Sequence, residues 1–253
     1  MHIYFTFLIF LLGLVLASFL NALLYRIDNG YKYPDIFIKG SHCERCGKYL
    51  TVYELIPILS YILNKGKCSK CGYKVPIYYP LSELILGIGM GSIYFFSLPW
   101  IMYIVLLSFF CFSYFDRIYK GVPQVLVNSY LVVLVIYFFI NLILQNSIPQ
   151  NSLIVGLIIS AFVLILGKVL KKPFGIGDIL VLLGLSIVFS INQYIGFIYI
   201  FLITSSLYSV VLVILKKASF KSSIPLLPFM LGSLSLLFMF NEYITQILLK
   251  LFY

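Results

Sequence analysis

Two groups of residues in this chain have the types and spacings to do chemistry. The first is a pair of aspartates. Asp178 closes Gly175-Ile176-Gly177-Asp178 at the mouth of an apolar run, 179–190, and Asp116 lies flush with the end of another in Ser113-Tyr114-Phe115-Asp116-Arg117. A carboxylate at membrane depth is costly, so it reads by default as functional. The chain holds eight acids in all, and two so placed are the raw material of aspartyl acid/base chemistry. Brought within hydrogen-bond distance, they would not both ionise readily. The charged one takes a proton from water as it attacks a peptide carbonyl, and the neutral one donates to the developing oxyanion. Paired membrane acids also serve proton-coupled transporters, a second reading from a different class.

The second group is Cys43-Glu44-Arg45-Cys46-Gly47 and Cys68-Ser69-Lys70-Cys71-Gly72, with 21 residues between the inner cysteines. Two such turns supply four thiolates in a tetrahedral array, and the glycine after each pair lets the backbone turn back over a metal. A pair of disulfides or a redox Cys-x-x-Cys is the competing reading. The cytoplasmic placement argued below disfavours stable disulfides. Zinc held by Cys43, Cys46, Cys68 and Cys71 would be structural, since four cysteines leave no open coordination position. It would fold a segment that has little apolar core of its own. Cys111, alone in an apolar run, reads as packing.

These residues must be positioned by membrane helices. The chain is 62% hydrophobic and 10% charged, with mean hydropathy +1.07, against about 25% charged residues in a soluble domain. His2 and His42 are the only histidines, one at the extreme N-terminus and one beside a cysteine pair, which nearly excludes His-based triads. Apolar runs predict about eight spans, at 3–24, 81–97, 99–115, 122–144, 152–168, 178–191, 194–215 and 225–248. The net charge of +10 does not point to nucleic acid, because the charges sit in short loops. Segment 25–80 holds nine Lys/Arg. Arg117 and Lys120, then Lys168, Lys171 and Lys172, then Lys216, Lys217 and Lys221 follow on alternate junctions, and the connections between hold none. By the positive-inside rule that side is the cytoplasm, with Lys250 alone misplaced. Both aspartates then face the cytoplasm. The first apolar run has no Lys or Arg before it, the reverse of a signal peptide, so it reads as an uncleaved span with the N-terminus outside.

The resulting expectation is an all-α polytopic membrane protein. A first span occupies 1–24, a cytoplasmic four-cysteine domain 25–80, and a multi-span domain 81–253. Within the insertion, 53–63 is apolar but too short to span, and reads as an interfacial helix or part of the small domain's core. Glu83 is expected to open the second span, where a plain capping role is at least as good a reading as a catalytic one. Gly87-Ile88-Gly89-Met90-Gly91 has small residues spaced for close helix approach. Asp178 has a bland reading as a helix cap. Asp116 has a weaker one, because a helix C-terminus disfavours negative charge, an effect that Arg117 offsets in part. Gly175 and Gly177 are expected to give the backbone before Asp178 conformations closed to other residues and to let a second chain come close.

At this point the chain resembles the type IV prepilin peptidases. The resemblance runs through Ala17-Ser18-Phe19-Leu20-Asn21, Tyr25-Arg26-Ile27, both cysteine turns, the segment 53–61, Gly66-Lys67-Cys68 and Tyr79-Pro80-Leu81-Ser82-Glu83-Leu84. It continues with Asp116 followed by Pro123, Gly175-Ile176-Gly177-Asp178 as in other Gly-x-Gly-Asp membrane proteases, and Ile224-Pro225 to Pro228-Phe229 with Gly232. It implies a bacterial inner-membrane aspartyl endopeptidase that removes the basic leader of prepilins or pilin-like proteins at the cytoplasmic face, with Asp116 and Asp178 as the catalytic pair. It also implies N-methylation of the new N-terminus from S-adenosylmethionine, although no residue by itself marks that cofactor's site. Membrane lipid and a prepilin would be the partners. Gln124 stands where relatives commonly have Asp or Asn, and Ala17 where Gly is usual.

Overall fold

The computed structural model describes residues 1–144, 150–169, 175–215 and 224–252. Its elements are helices: α1 (His2–Asp28), α2 (Asp35–Ile38), a 3-10 turn (Val52–Leu55), α3 (Leu59–Leu63), α4 (Tyr78–Phe95), α5 (Ile101–Tyr119), α6 (Gln124–Ile143), α7 (Gln150–Val169), α8 (Ile176–Val188), α9 (Ile191–Ile214), α10 (Leu227–Met239) and α11 (Asn241–Phe252). They group into two compact units, Met1–Ser97 and Leu98–Tyr253. Among the described residues, α1, α5, α6 and α9 are long and apolar enough to cross a membrane, and α8 and α10 are shorter apolar helices of 13 residues. At 1.5 Å per residue these two are about 20 Å long, short of a roughly 30 Å hydrocarbon core. The eight expected runs therefore map onto helices of unequal reach.

In the first unit α1 packs along α4. The approach is close because both faces are glycine. A Cβ on Gly13 would lie 2.8 Å from the Gly87 Cα, and one on Gly91 would lie 3.3 Å from the Phe10 Cβ. The glycine run in α4 thus does the packing work expected of small residues. One polar pair crosses the same seam: the buried Asn21 Nδ2 donates to the buried Ser82 Oγ at 3.0 Å.

In the second unit α5 packs on α10 and α6, while α8 lies against α6 and α7. Phe109, Phe112 and Tyr130 meet edge-on in the interior. The outer faces carry a different composition. Val132, Ile136 and Phe139 of α6 and Leu202, Ile203 and Val210 of α9 are exposed. Apolar surface of this extent suits lipid, not water.

The last expected span, 225–248, is two helices and not one. Phe240 leaves helical geometry (φ −111°, ψ 22°), the Asn241 Oδ1 accepts from the Gln193 Nε2, and Glu242 falls in the first turn of α11, where the dipole favours it. The segment 53–63 is likewise neither one interfacial helix nor a core. Pro57 and Ile58 divide it into the 3-10 turn and α3, and Leu55, Leu59, Ile62 and Leu63 are exposed.

The glycine seam predicts that Gly13→Ala destabilises the protein, because the added carbon meets backbone that cannot rotate away. A cost of about 1–3 kcal/mol is expected. Thermal unfolding in detergent should show a clear fall in Tm, whereas Gly232→Ala, where a Cβ meets nothing within 4 Å, should leave Tm unchanged or raised.

Candidate active site and metal centre

Asp116 sits near the end of α5, three residues before Tyr119, and is 5% exposed. The dipole of its own helix disfavours a charge there. Another helix supplies what is missing. The Leu227 N–H donates to Asp116 Oδ2 at 3.0 Å, and the Leu226 N–H adds a second backbone donor. These are the N-cap and first residue of α10, so Asp116 caps a helix distant in sequence. The Ile224-Pro225 to Pro228-Phe229 stretch therefore contributes backbone to the site. Pro228 near a helix start signalled that end, but nothing in sequence said which acid would meet it.

Asp178 is the third residue of α8, whose N-cap is Gly175. As an acid in the first turn of α8 it meets the positive end of the helix dipole. Asp116 and Asp178 lie within electrostatic reach of each other, and no direct hydrogen bond joins them. α8 is held firmly on three sides. A Cβ on Gly184 would lie 2.7 Å from the Tyr130 ring, and one on Gly156 would lie 2.5 Å from Ser186. Ser152 Oγ donates to the Ser186 carbonyl at 2.9 Å, and the Tyr194 hydroxyl to the Leu182 carbonyl at 3.3 Å.

The two motif glycines act differently from the conformational expectation. Gly175 has φ −58° and ψ 127°, and Gly177 is helical, so neither needs a left-handed backbone. A Cβ on Gly175 would lie 3.0 Å from the Asp178 carboxylate, whereas one on Gly177 meets nothing within 4 Å. Gly175 keeps space for the carboxylate, and Gly177 borders open space. Pro123 is the N-cap of α6. Gln124 is exposed, its Nε2 donating to the Asn128 Oδ1 at 3.0 Å.

The four cysteines converge. Their sulfurs lie within 4.8 Å of one another, with Cys43–Cys71 at 3.8 Å and Cys46–Cys68 at 3.9 Å. Tetrahedral thiolates on a metal at 2.3 Å are about 3.8 Å apart, whereas a disulfide needs about 2.05 Å. The group can hold a metal ion, and none of the four is disulfide-bonded. The two knuckles are built alike. Gly47 and Gly72 take φ near +67° and +66°, their N–H groups donate to the carbonyls of Cys43 and Cys68, and the N–H groups of Cys43 and Cys68 donate to Lys48 and Tyr73. Backbone N–H groups of Cys71 and Lys70 pull the Cys68 thiol down to about 6.

Glu54 ties the knuckles together. It accepts from Lys48 Nζ at 2.8 Å beside the first and from Ser69 Oγ at 2.6 Å in the second, and it caps its own turn through Thr51. The Lys48 ammonium, then Ser69, hold its carboxyl down at about 2.

Glu83 is the sixth residue of α4 and not its cap. It is 7% exposed, and its Oε2 accepts from the Ile58 N–H at 2.9 Å. Ile58 has φ +61°, an outlier for a β-branched residue, so Glu83 anchors the bend that divides 53–63. Lys171, Lys172, Lys216, Lys217 and Lys221 of the charge argument lie outside the described residues.

Known proteins share stretches of this sequence. Residues 11–97 match the family model of the bacterial peptidase A24 N-terminal domain. A prepilin leader peptidase/N-methyltransferase of Myxococcus xanthus is 32% identical over 59% of this chain and 38% of its own length, and one of Vibrio cholerae is 29% identical over 58% and 60%. Over these stretches the chain is similar to the prepilin leader peptidases. A type 4 prepilin-like proteins leader peptide-processing enzyme of Escherichia coli is 24% identical over 68% of this chain and 72% of its own. The matches thus span about two fifths to three fifths of the first two relatives. No solved structure gives a significant match.

The sulfur geometry predicts about one bound metal ion per purified chain by elemental analysis. Cys46→Ser should reduce that to a small fraction. Glu54→Gln should keep the ion but speed its loss to a chelator several-fold, since Lys48 and Ser69 then lose their shared charged acceptor.

Proposed function

We propose that this chain is a membrane aspartyl endopeptidase that removes the leader from prepilins or pilin-like proteins at the cytoplasmic face of a bacterial inner membrane, and that it also methylates the new N-terminus. The observation that carries the reading is the pair Asp116 and Asp178, in reach of each other within an otherwise apolar set of helices. The relatives' names supply the substrate and the second activity. The alternative of a proton-coupled transporter draws no support from them.

In this mechanism the two carboxylates share the work of one acid and one base. Water placed between them loses its proton to the charged member as it attacks the scissile carbonyl, and the protonated member donates to the oxyanion. The Leu226 and Leu227 N–H groups hold Asp116 in place without supplying a proton. The open space at Gly177 is suited to an extended substrate backbone. A prepilin has a basic leader and then an apolar helix, so lodging that helix in the bilayer brings the bond to the membrane surface, where the positive-inside rule puts these residues. The ion that the four cysteines hold would be zinc in a structural role, since their closed ligand set offers no position to substrate. S-adenosylmethionine would supply the methyl group.

Cleavage of a purified prepilin in detergent tests the assignment. Asp116→Asn and Asp178→Asn should each abolish cleavage, to below about one-thousandth of the parent rate, while the protein still unfolds cooperatively. Parent-like cleavage by either variant removes the dyad. A finer outcome follows from the glycines: Gly175→Ala, which crowds Asp178, should slow cleavage by about ten- to a hundredfold, and Gly177→Ala should lower it less. The reverse order would show that the crowding argument is wrong.

A further inference from the structure

The first unit has a half-open cavity of about 210 Å³ whose lining includes Asn21, Arg26, Glu44, Lys67, Tyr79 and Glu83. Its polar groups are unevenly satisfied. Ser82 Oγ donates to the Tyr79 carbonyl at 2.9 Å, so toward Asn21 it can only accept. Asn21 must therefore present its Nδ2 to Ser82, at 3.0 Å, and this fixes the amide's orientation. Its Oδ1 is then left without a donor at a residue 3% exposed. Such an orphaned acceptor costs free energy unless something supplies a donor.

Glu83 lines the same cavity and has a related deficit. The donors that reach it are the Ile58 N–H and the Ser18 hydroxyl, both neutral. A carboxyl group this buried either keeps its proton or is matched by a cation. The two basic side chains of the lining do not fill that role: Arg26 donates to the Ile36 carbonyl at 2.9 Å and to Ser41 Oγ at 3.4 Å, and Lys67 does not reach Glu83. A donor-rich cation of small size would satisfy both Asn21 Oδ1 and Glu83.

We propose that this cavity is a binding site for an aliphatic ammonium group, with Asn21 Oδ1 and Glu83 as its acceptors. The inference rests on the reading of the chain as a prepilin peptidase with N-methyltransferase activity, and it adds the site. Two molecules of that reaction carry such a group. One is the amino-acid end of the methyl donor, whose carboxylate would face Arg26 and Lys67. The other is the N-terminal amine freed by cleavage.

Calorimetry on the full-length protein in lipid nanodiscs, with metal content checked, separates the cases. The probes are S-adenosylhomocysteine and its des-amino analogue, and a peptide beginning with Phe and the same peptide begun with phenylpropionyl. In one pair the amine-bearing member should bind about tenfold or more tightly than its des-amino partner, as a hydrogen-bonded charge implies, and that pair names the source. Glu83→Gln should reduce the preference to less than about threefold, with Asn21→Ala as the second variant should the first unfold. Absence of an amine preference in both pairs with the parent protein overturns the proposal. So does a preference that survives in the folded variants. Cleavage and methylation of a prepilin by the same preparation keep the two readings apart: methylation without an amine preference removes the site and leaves the enzyme, whereas neither reaction removes the enzyme whatever the cavity binds.

Discussion

The constraint on which the second unit depends is that a buried carboxylate and a helix end each need partners, and here each serves the other. Of the first backbone N–H groups of α10, Phe229 and Met230 already donate to the Leu226 carbonyl, and Pro228 has none to offer. Leu226 and Leu227 remain, and both turn to Asp116. A helix of 13 residues is too short to carry both its ends into water across a bilayer, so such groups must be satisfied within the protein. Pro228 thus does more than start the helix, because it limits the orphaned donors to the number that one carboxylate accepts.

The two aspartates are positioned by different means. Asp116 is fixed at its own oxygen by hydrogen bonds from another helix. Asp178 is fixed through its helix, which is gripped by Tyr130 at Gly184, by Ser152 at Ser186 and by Tyr194 at Leu182, while its carboxylate is left with room by Gly175. One site therefore combines an acid whose place is set by direct contacts with one whose surroundings are kept clear. In the proposed chemistry that contrast suits a pair that must hold a water between them, since two carboxylates each saturated with donors would have no lone pair to offer it.

Much of this was legible in the residues, and what was not has physical reasons. The cysteine quartet was readable because metal geometry constrains spacing directly, and the aspartates because apolar surroundings make a carboxylate conspicuous. The close approach of α1 and α4 followed from Gly87 and its neighbours, although Gly13 on the other side had no pattern to announce it. The break at Phe240 was hidden because hydropathy runs through it: 225–248 is apolar enough to read as one span, and the polar contact that favours the break, Gln193 to Asn241, joins positions 48 apart. Asp116 as the cap of α10 was hidden for the same reason, across 111 positions. Short-range rules report caps within a helix, and this cap is tertiary.

Glu83 shows the same rule at work where sequence position misled. Placed at the start of an apolar run, it looked like a first-turn acid, but α4 begins five residues earlier at Tyr78, and Glu83 lies on the buried face. It and Asp116 are the buried acids among the described residues. The acid that serves the small domain's architecture is of the other kind: Glu54 pairs with Lys48 across the two knuckles. Glu54 has its cation built in. Asp116 has helix N–H groups in that place, and Glu83 has only a backbone N–H and a hydroxyl, which leaves part of its charge to be met by something that enters the cavity.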